Sequence, residues 1–149
     1  MRAVVQRVTE SDVSVDGKVC GTIKQGLMIL LGVADGDTEE DAIYMAGKIA
    51  GLRIFEDEEE KMNLSVKDVG GQILAVSQFT LMGDARKGKR PGFTNAADPD
   101  MANRLYQRFI HLVRNEGLQV EEGVFQANML VRIHNDGPVT ILLDSRKTF

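Results

Sequence analysis

Gly26-Leu27-Met28-Ile29-Leu30-Leu31-Gly32-Val33-Ala34 is an unbroken apolar run with glycines near both ends. A half-exposed strand would alternate apolar and polar residues, and this run does not. It predicts a strand buried on both faces, at the centre of a sheet. Apolar segments lie on either side of it. Ala3 to Val8 is β-branched and apolar. Val13-Ser14-Val15-Asp16-Gly17-Lys18-Val19 alternates around Asp-Gly, a strong hairpin signal. Later strands are expected at Ile73 to Phe79, Met129 to His134 and Val139 to Leu143.

Two helices separate these strands. Thr38 is a suitable N-cap, with Glu39, Glu40 and Asp41 in a first turn whose dipole favours acids. Ala42, Ala46, Ile49 and Ala50 form an apolar face, and Gly51 can end the helix. The second helix opens at Asp98 with Pro99 in its first position. Ala102, Leu105, Tyr106, Phe109 and Val113 keep a helical period, and Gly117 is the stop signal. Strands outnumber helices, and hairpins mix with helical crossovers. The expected fold is α/β: one domain over residues 1–149, a mixed, barrel-like sheet with two main helices packed on it.

Composition narrows the function classes. The chain has 149 residues with 18 basic and 22 acidic side chains, a net charge of −4. That argues against gripping nucleic acid by bulk electrostatics, because phosphate-neutralising domains are usually basic. A chain this long buries about 68–70% of its unfolded surface and needs no metal or disulfide staple. Cys20 is the single cysteine, so thiolate zinc spacing is absent, and it sits in a strand-like run with no His nearby, which argues against a nucleophile. No segment reaches the roughly 18 apolar residues of a membrane span. The opening segment carries Arg7 inside its apolar run and does not read as a signal peptide, so the cytoplasm is the expected compartment.

The catalytic inventory is thin. His111 falls within the second helix, and His134 ends a strand. There is no H-x-x-x-H, G-x-S-x-G or Walker-type loop, so no metal, hydrolase-elbow or P-loop site is expected. Two charge runs stand out: Glu56-Asp57-Glu58-Glu59-Glu60, read as a solvated loop, and Arg86-Lys87-Gly88-Lys89-Arg90. The basic run lies in a Gly- and Pro-containing loop, where solvated surface and phosphate contact compete as readings.

Two polar segments interrupt the strands. Ser77-Gln78-Phe79-Thr80-Leu81 sits where a strand leaves the sheet, and its turning backbone frees N–H groups that can stabilise an oxyanion. Thr80 is a candidate nucleophile without an evident base. Asn135-Asp136-Gly137-Pro138-Val139-Thr140 reads as a turn. Its X-Pro bond is the one common place for a cis peptide, and its glycine lets backbone approach a ligand closely.

These segments resemble, in order, the D-aminoacyl-tRNA deacylases, the family that includes D-tyrosyl-tRNA deacylase. The likeness is carried by Met1 to Val8, Leu52-Arg53-Ile54-Phe55, Lys61-Met62-Asn63-Leu64-Ser65, Ser77 to Leu81, Gly88-Lys89-Arg90-Pro91 and Asn135 to Thr140, and it runs to about Ser145. The resemblance implies a cofactor-free carboxylic ester hydrolase that cleaves D-amino acids, and mischarged glycine, from the terminal adenosine of tRNA. It implies a homodimer with its active site at the subunit interface. Gly137 and Pro138, held cis, would enter the partner's pocket and exclude L-amino acids, with Arg7 bracing them. Ser77, Gln78, Phe79 and Thr80 would line the reaction centre. Ala102, Phe125 and Met129 would cradle the adenine. Gln126 departs from the pattern, since many relatives carry a small residue there. The ribose hydroxyl of the substrate can assist hydrolysis, which leaves Thr80 open as nucleophile, water-orienting group or pocket wall. Two other readings compete: a non-catalytic nucleic-acid-binding module using Arg86 to Arg90, and an esterase acting on small substrates through Thr80 or Ser77.

Overall fold

The computed structural model describes all of residues 1–149. The apolar run forms β3 (Gly26–Gly32), and every residue in it except Leu30 is buried. β3 runs antiparallel to β1 (Arg2–Val15), in a register from Arg2 opposite Gly32 to Val8 opposite Gly26. On its other side it runs parallel to β6 (Gln72–Ser77), with Gly26 opposite Gln72 and Leu31 opposite Ser77. A parallel neighbour requires a crossover, and α1 (Glu39–Ala50) supplies it. The strand stops at Gly32, two residues before the apolar run does. Ala34 then bridges Ala96 instead.

β2 (Lys18–Ile23) returns along the far half of β1 through a turn with positive φ at Asp16 and Gly17. The sheet continues through β6 to β7 (Val120–Glu122), in the order β2-β1-β3-β6-β7. β4 (Phe55–Glu56) and β5 (Met62–Leu64) make a separate small hairpin. α2 (Pro99–Asn115) begins at Asp98, whose side chain accepts the Met101 N–H at 3.1 Å. Gly117 follows it with φ +87, as a helix stop signal requires.

Two expectations are corrected. Ala3 to Val8 and Val13 to Val15 are not separate strands. They are halves of the 14-residue β1, which bends where its register shifts between Gln6 and Ser11. Met129 to His134 and Val139 to Leu143 likewise merge into one 15-residue strand, β8 (Leu130–Asp144), so His134 lies within a strand. Both halves of β8 pair with β1, so the ladder carries the strand past the Gly-Pro segment. The bend of β1 lets β3 and β2 pair with its two halves in turn while β8 follows its whole length, giving the sheet its nearly closed, barrel-like shape.

Both helices pack on one face. Val5, Ile29, Ile49, Ile73, Tyr106 and Phe109 belong to this main core. Truncating such a side chain to Ala costs about 2–5 kcal/mol. Val8, Val13, Ile23, Met28, Leu74 and Val76 form a smaller core on the opposite face, with Met129 and Val131 packed against it.

Candidate active site

β6 ends at Ser77, and the Gln78 N–H donates to the Leu31 carbonyl at 2.8 Å as the chain leaves the sheet. Phe79–Met82 then forms one 3₁₀ turn, closed by Leu81 N–H to Gln78 O (3.3 Å) and Gly83 N–H to Thr80 O (3.0 Å). The leading N–H groups of such a turn, at Phe79 and Thr80, have no acceptor within it. The turn lies close against β3: a Cβ on Gly32 would stand 3.0 Å from the Gln78 carbonyl oxygen and 2.9 Å from Met82 Cε. Glycine at 32 therefore sets how near the turn approaches the sheet.

A cavity of about 700 Å3 opens beside this turn. Ser77, Gln78, Phe79 and Thr80 form one wall, and Ala102, Phe125 and Met129 form another. Pro99, Ala102 and Tyr106 follow one another along α2. The small Ala102 side chain leaves the opening, while Tyr106 stacks on Phe125 with centroids 6.3 Å apart. Tyr106 is itself fixed by donating to the Ala75 carbonyl at 2.8 Å, and burial pushes its phenol pKa up, so it stays protonated. Gln126 also lines the cavity, with φ +64 in a turn closed by Ala127 N–H to Val124 O.

The cavity holds no acid–base pair. Thr80 Oγ1 accepts from the Gln78 amide at 2.9 Å, and an amide cannot take its proton. His111 is exposed on α2 beside Asn115, and His134 faces Glu10 at 3.5 Å; neither lines the cavity. Cys20 is exposed on β2, also off the lining. No group of three or more His, Cys, Asp or Glu side chains comes together to hold a metal.

Arg7, Gly137 and Pro138 form a second constellation. Gln6 pairs with Thr140 and Val8 with Asn135, so residues 136–139 bow out of the ladder opposite Arg7. The Gly137-Pro138 bond is cis, and Gly137 has φ +122, a region that favours glycine. A Cβ there would meet Val139 Cγ2 at 2.8 Å and Arg7 Nη2 at 3.0 Å. Arg7 is 6% exposed. It donates to the Asp136 carbonyl (3.2 Å) and the Ile54 carbonyl (2.9 Å), and its charge meets Asp136 Oδ2 at 3.4 Å and Glu56 at 3.9 Å. Asn135 Nδ2 closes the base of the bow on the Val139 carbonyl at 3.1 Å. Gly137 and Pro138 are exposed, and neither they nor Arg7 reach their own chain's cavity.

The charge runs differ in organisation. In the acidic run, the Asp57 carboxylate accepts from the Lys61 and Glu59 N–H groups, which holds its pKa below the usual range and shapes the β4–β5 turn. The basic run forms a second hairpin-like loop, closed by reciprocal backbone bonds between Asp84 and Gly92 at 2.8 and 2.9 Å.

Some lining residues escape the sequence. Val33, Ala96 and Ala97 meet at the cavity through Ala97 N–H to Val33 O, at 3.0 Å. Their only sequence signal is that the apolar run continues past Gly32 to Ala34.

An apolar cleft with one hydrogen-bonding turn and no general base defines a site that works by positioning. Comparison with known proteins places it more narrowly. A family model described as D-Tyr-tRNA(Tyr) deacylase matches residues 4–144. Proteins named D-aminoacyl-tRNA deacylase from Thermotoga petrophila and Koribacter versatilis are 61% and 62% identical over 149 residues, the full length of both chains in each case. A solved structure named c-Myc DNA Unwinding Element Binding Protein is 42% identical, with a TM-score of 0.91 over 97% of this chain and 98% of its own. The chain belongs to the D-Tyr-tRNA(Tyr) deacylase family.

Proposed function

We propose that this protein hydrolyses the ester joining a D-amino acid, or mischarged glycine, to the 3′-terminal adenosine of tRNA, and that it does so as a cytoplasmic homodimer. One observation carries the reading: a braced Gly137-Pro138 turn is exposed outside its own chain's cavity, in a family of deacylases. Entering the cavity of a second copy, the turn would meet the substituent on the substrate's α-carbon. An L side chain would collide with backbone there, whereas a D side chain or a glycine hydrogen would not.

The rest of β8 supports the dimer. It pairs only with β1, leaving a 15-residue strand with one open edge. Leu130 and Leu142 on it are 64% and 57% exposed. Long apolar edges are normally covered. The Asn135 Oδ1 atom, beside the turn, is buried without a hydrogen-bond partner. No helix is long and apolar enough to cross a membrane.

In the proposed reaction, Phe125, Met129 and Ala102 hold the adenine, which places the ester against the 3₁₀ turn. Water attacks the carbonyl carbon. The Phe79 and Thr80 N–H groups stabilise the oxyanion, and the C–O bond to the ribose breaks. The hydroxyl stays on the acid, and the proton passes to the ribose oxygen, assisted by the neighbouring ribose hydroxyl. Effective concentration and oxyanion stabilisation replace a triad. Thr80 shapes and orients rather than attacks, because its hydroxyl partner is an amide.

The test offers matched D- and L-aminoacyl-tRNA and measures ester release. Rapid D cleavage with L spared is expected. Equal cleavage rejects the chiral filter, and no cleavage favours a binding module.

A further inference from the structure

We propose that the Asp84–Gly92 loop is a phosphate-binding arm that grips the single-stranded 3′ end of the tRNA through Lys87, Lys89 and Arg90. The proposal rests on the deacylase reading and adds a polyanion subsite to it.

The four cations of this loop are not equivalent. Arg86 is already taken. Its Nε and Nη2 bind the Asp84 carboxylate at 2.9 and 2.6 Å, and its backbone N–H binds the same carboxylate at 3.0 Å. The Arg86 guanidinium holds the Asp84 carboxyl at about 2, below its ordinary value. Because the folded pKa is the lower one, this pairing persists above the ordinary carboxylate range and is lost only as pH falls toward about 2. Arg86 and Asp84 therefore brace the loop. Lys87, Lys89 and Arg90 are exposed and have no carboxylate within 4.0 Å. Arg86 is thus spent on structure, and these three are left over.

Position decides what they meet. Both strands of the loop lead to the cavity mouth. On one side Asp84 follows directly from the 3₁₀ turn that carries Phe79 and Thr80. On the other, Phe93 packs edge-on against Phe79, with centroids 5.2 Å apart. Phe79 lines the cavity. Arg90 lies three residues before Phe93, so their Cα atoms are within about 11 Å. An adenosine in the cavity must send its 5′ phosphates out to solvent, and on this proposal they leave past this mouth. The acidic run does not neutralise these cations: its ion pairs go to Arg7 and Lys61. Net charge of −4 argues against broad capture of polyanions, but three unpaired cations on one loop rooted beside the cavity suit a single strand entering there.

Three phosphate contacts to a single strand give a slope of about −2 in log affinity against log salt. Between about 50 and 200 mM salt that amounts to a roughly 20-fold loss of tRNA binding. The experiment compares the full chain with its Lys87→Ala/Lys89→Ala/Arg90→Ala variant on two substrates: D-aminoacyl-tRNA, and D-aminoacyl-adenosine, which keeps the ester and base but has no phosphate. Affinity for uncharged tRNA is titrated against salt in parallel. The preference in kcat/KM for tRNA over the adenosine ester should fall by at least about tenfold at low salt, and the salt slope should flatten by about 2. A Lys87→Arg/Lys89→Arg variant should keep the slope, whereas Asp84→Asn, which frees Arg86, should steepen it by up to about 0.7. An unchanged slope and preference in the triple variant would overturn the proposal. If the wild-type chain released neither ester, the deacylase reading would fail, and the uncharged-tRNA slope would still decide the arm.

Discussion

The cavity beside β6 and the bowed turn of β8 are built on opposite plans. The cavity is complete within one chain: strand end, 3₁₀ turn and the opening of α2 enclose it. The turn is equally well organised, with Arg7 and Asn135 holding its backbone, yet it presents Gly137 and Pro138 to solvent. A segment with that much internal bracing and no local task implies a task elsewhere. On the proposed reading, each chain carries a pocket for one substrate and a selectivity element for another.

Substitutions in the two regions should separate these tasks. The largest effect is expected from Gly137→Leu. The new side chain must adopt φ +122 against Arg7 and Val139, strain of about 1–3 kcal/mol that moves the turn. D-ester hydrolysis should fall by up to about 100-fold, with adenosine affinity retained. Unchanged D/L selectivity in this variant would break the comparison. Arg7→Ala comes next. It leaves the Asp136 and Ile54 carbonyls without their donor, at a cost of about 1–3 kcal/mol. Selectivity should relax, and Tm should drop by roughly 2–4 °C for each kcal/mol lost.

Ala102→Phe acts on the other region. It fills the side of the cavity proposed for the adenine and should raise KM by about tenfold, the scale of one lost base-stacking contact, while leaving D/L selectivity intact. The smallest change is expected from Thr80→Ala, which removes one hydrogen bond and should cost less than about tenfold in kcat. A loss of several orders of magnitude, with binding intact, would restore Thr80 as nucleophile.

The two regions were also unequally legible. Helix boundaries and the buried β3 follow from periodicity, caps and the unbroken apolar run, all local signals. Ser77 to Thr80 could be singled out locally as a polar strand end. The continuity of β8 could not, because Asn135 to Pro138 has the composition of a turn and only pairing with β1 on both sides keeps it within one strand. Alternation puts Arg7 on the same buried face as Ala3 and Val5. What it meets there, the Asp136 and Ile54 carbonyls, is a tertiary fact that no local signal carries. The role proposed for Arg7 and the Gly-Pro pair comes from family resemblance, not from any local signal. Val33, Ala96 and Ala97 carry no signal beyond being small and apolar, and the fold alone brings them to the cavity.

The central claim is that one chain's pocket works with another chain's turn, and subunit mixing tests it most directly. An Ala102→Trp chain has a blocked pocket and an intact turn, and a Gly137→Leu chain has the reverse. Mixed one to one after subunit exchange, half the dimers are hybrid, and each hybrid regains one intact site. Selective D-aminoacyl-tRNA hydrolysis should therefore recover to about a quarter of the wild-type rate per chain. Activity that stays at the level of the two variants measured separately would contradict the account.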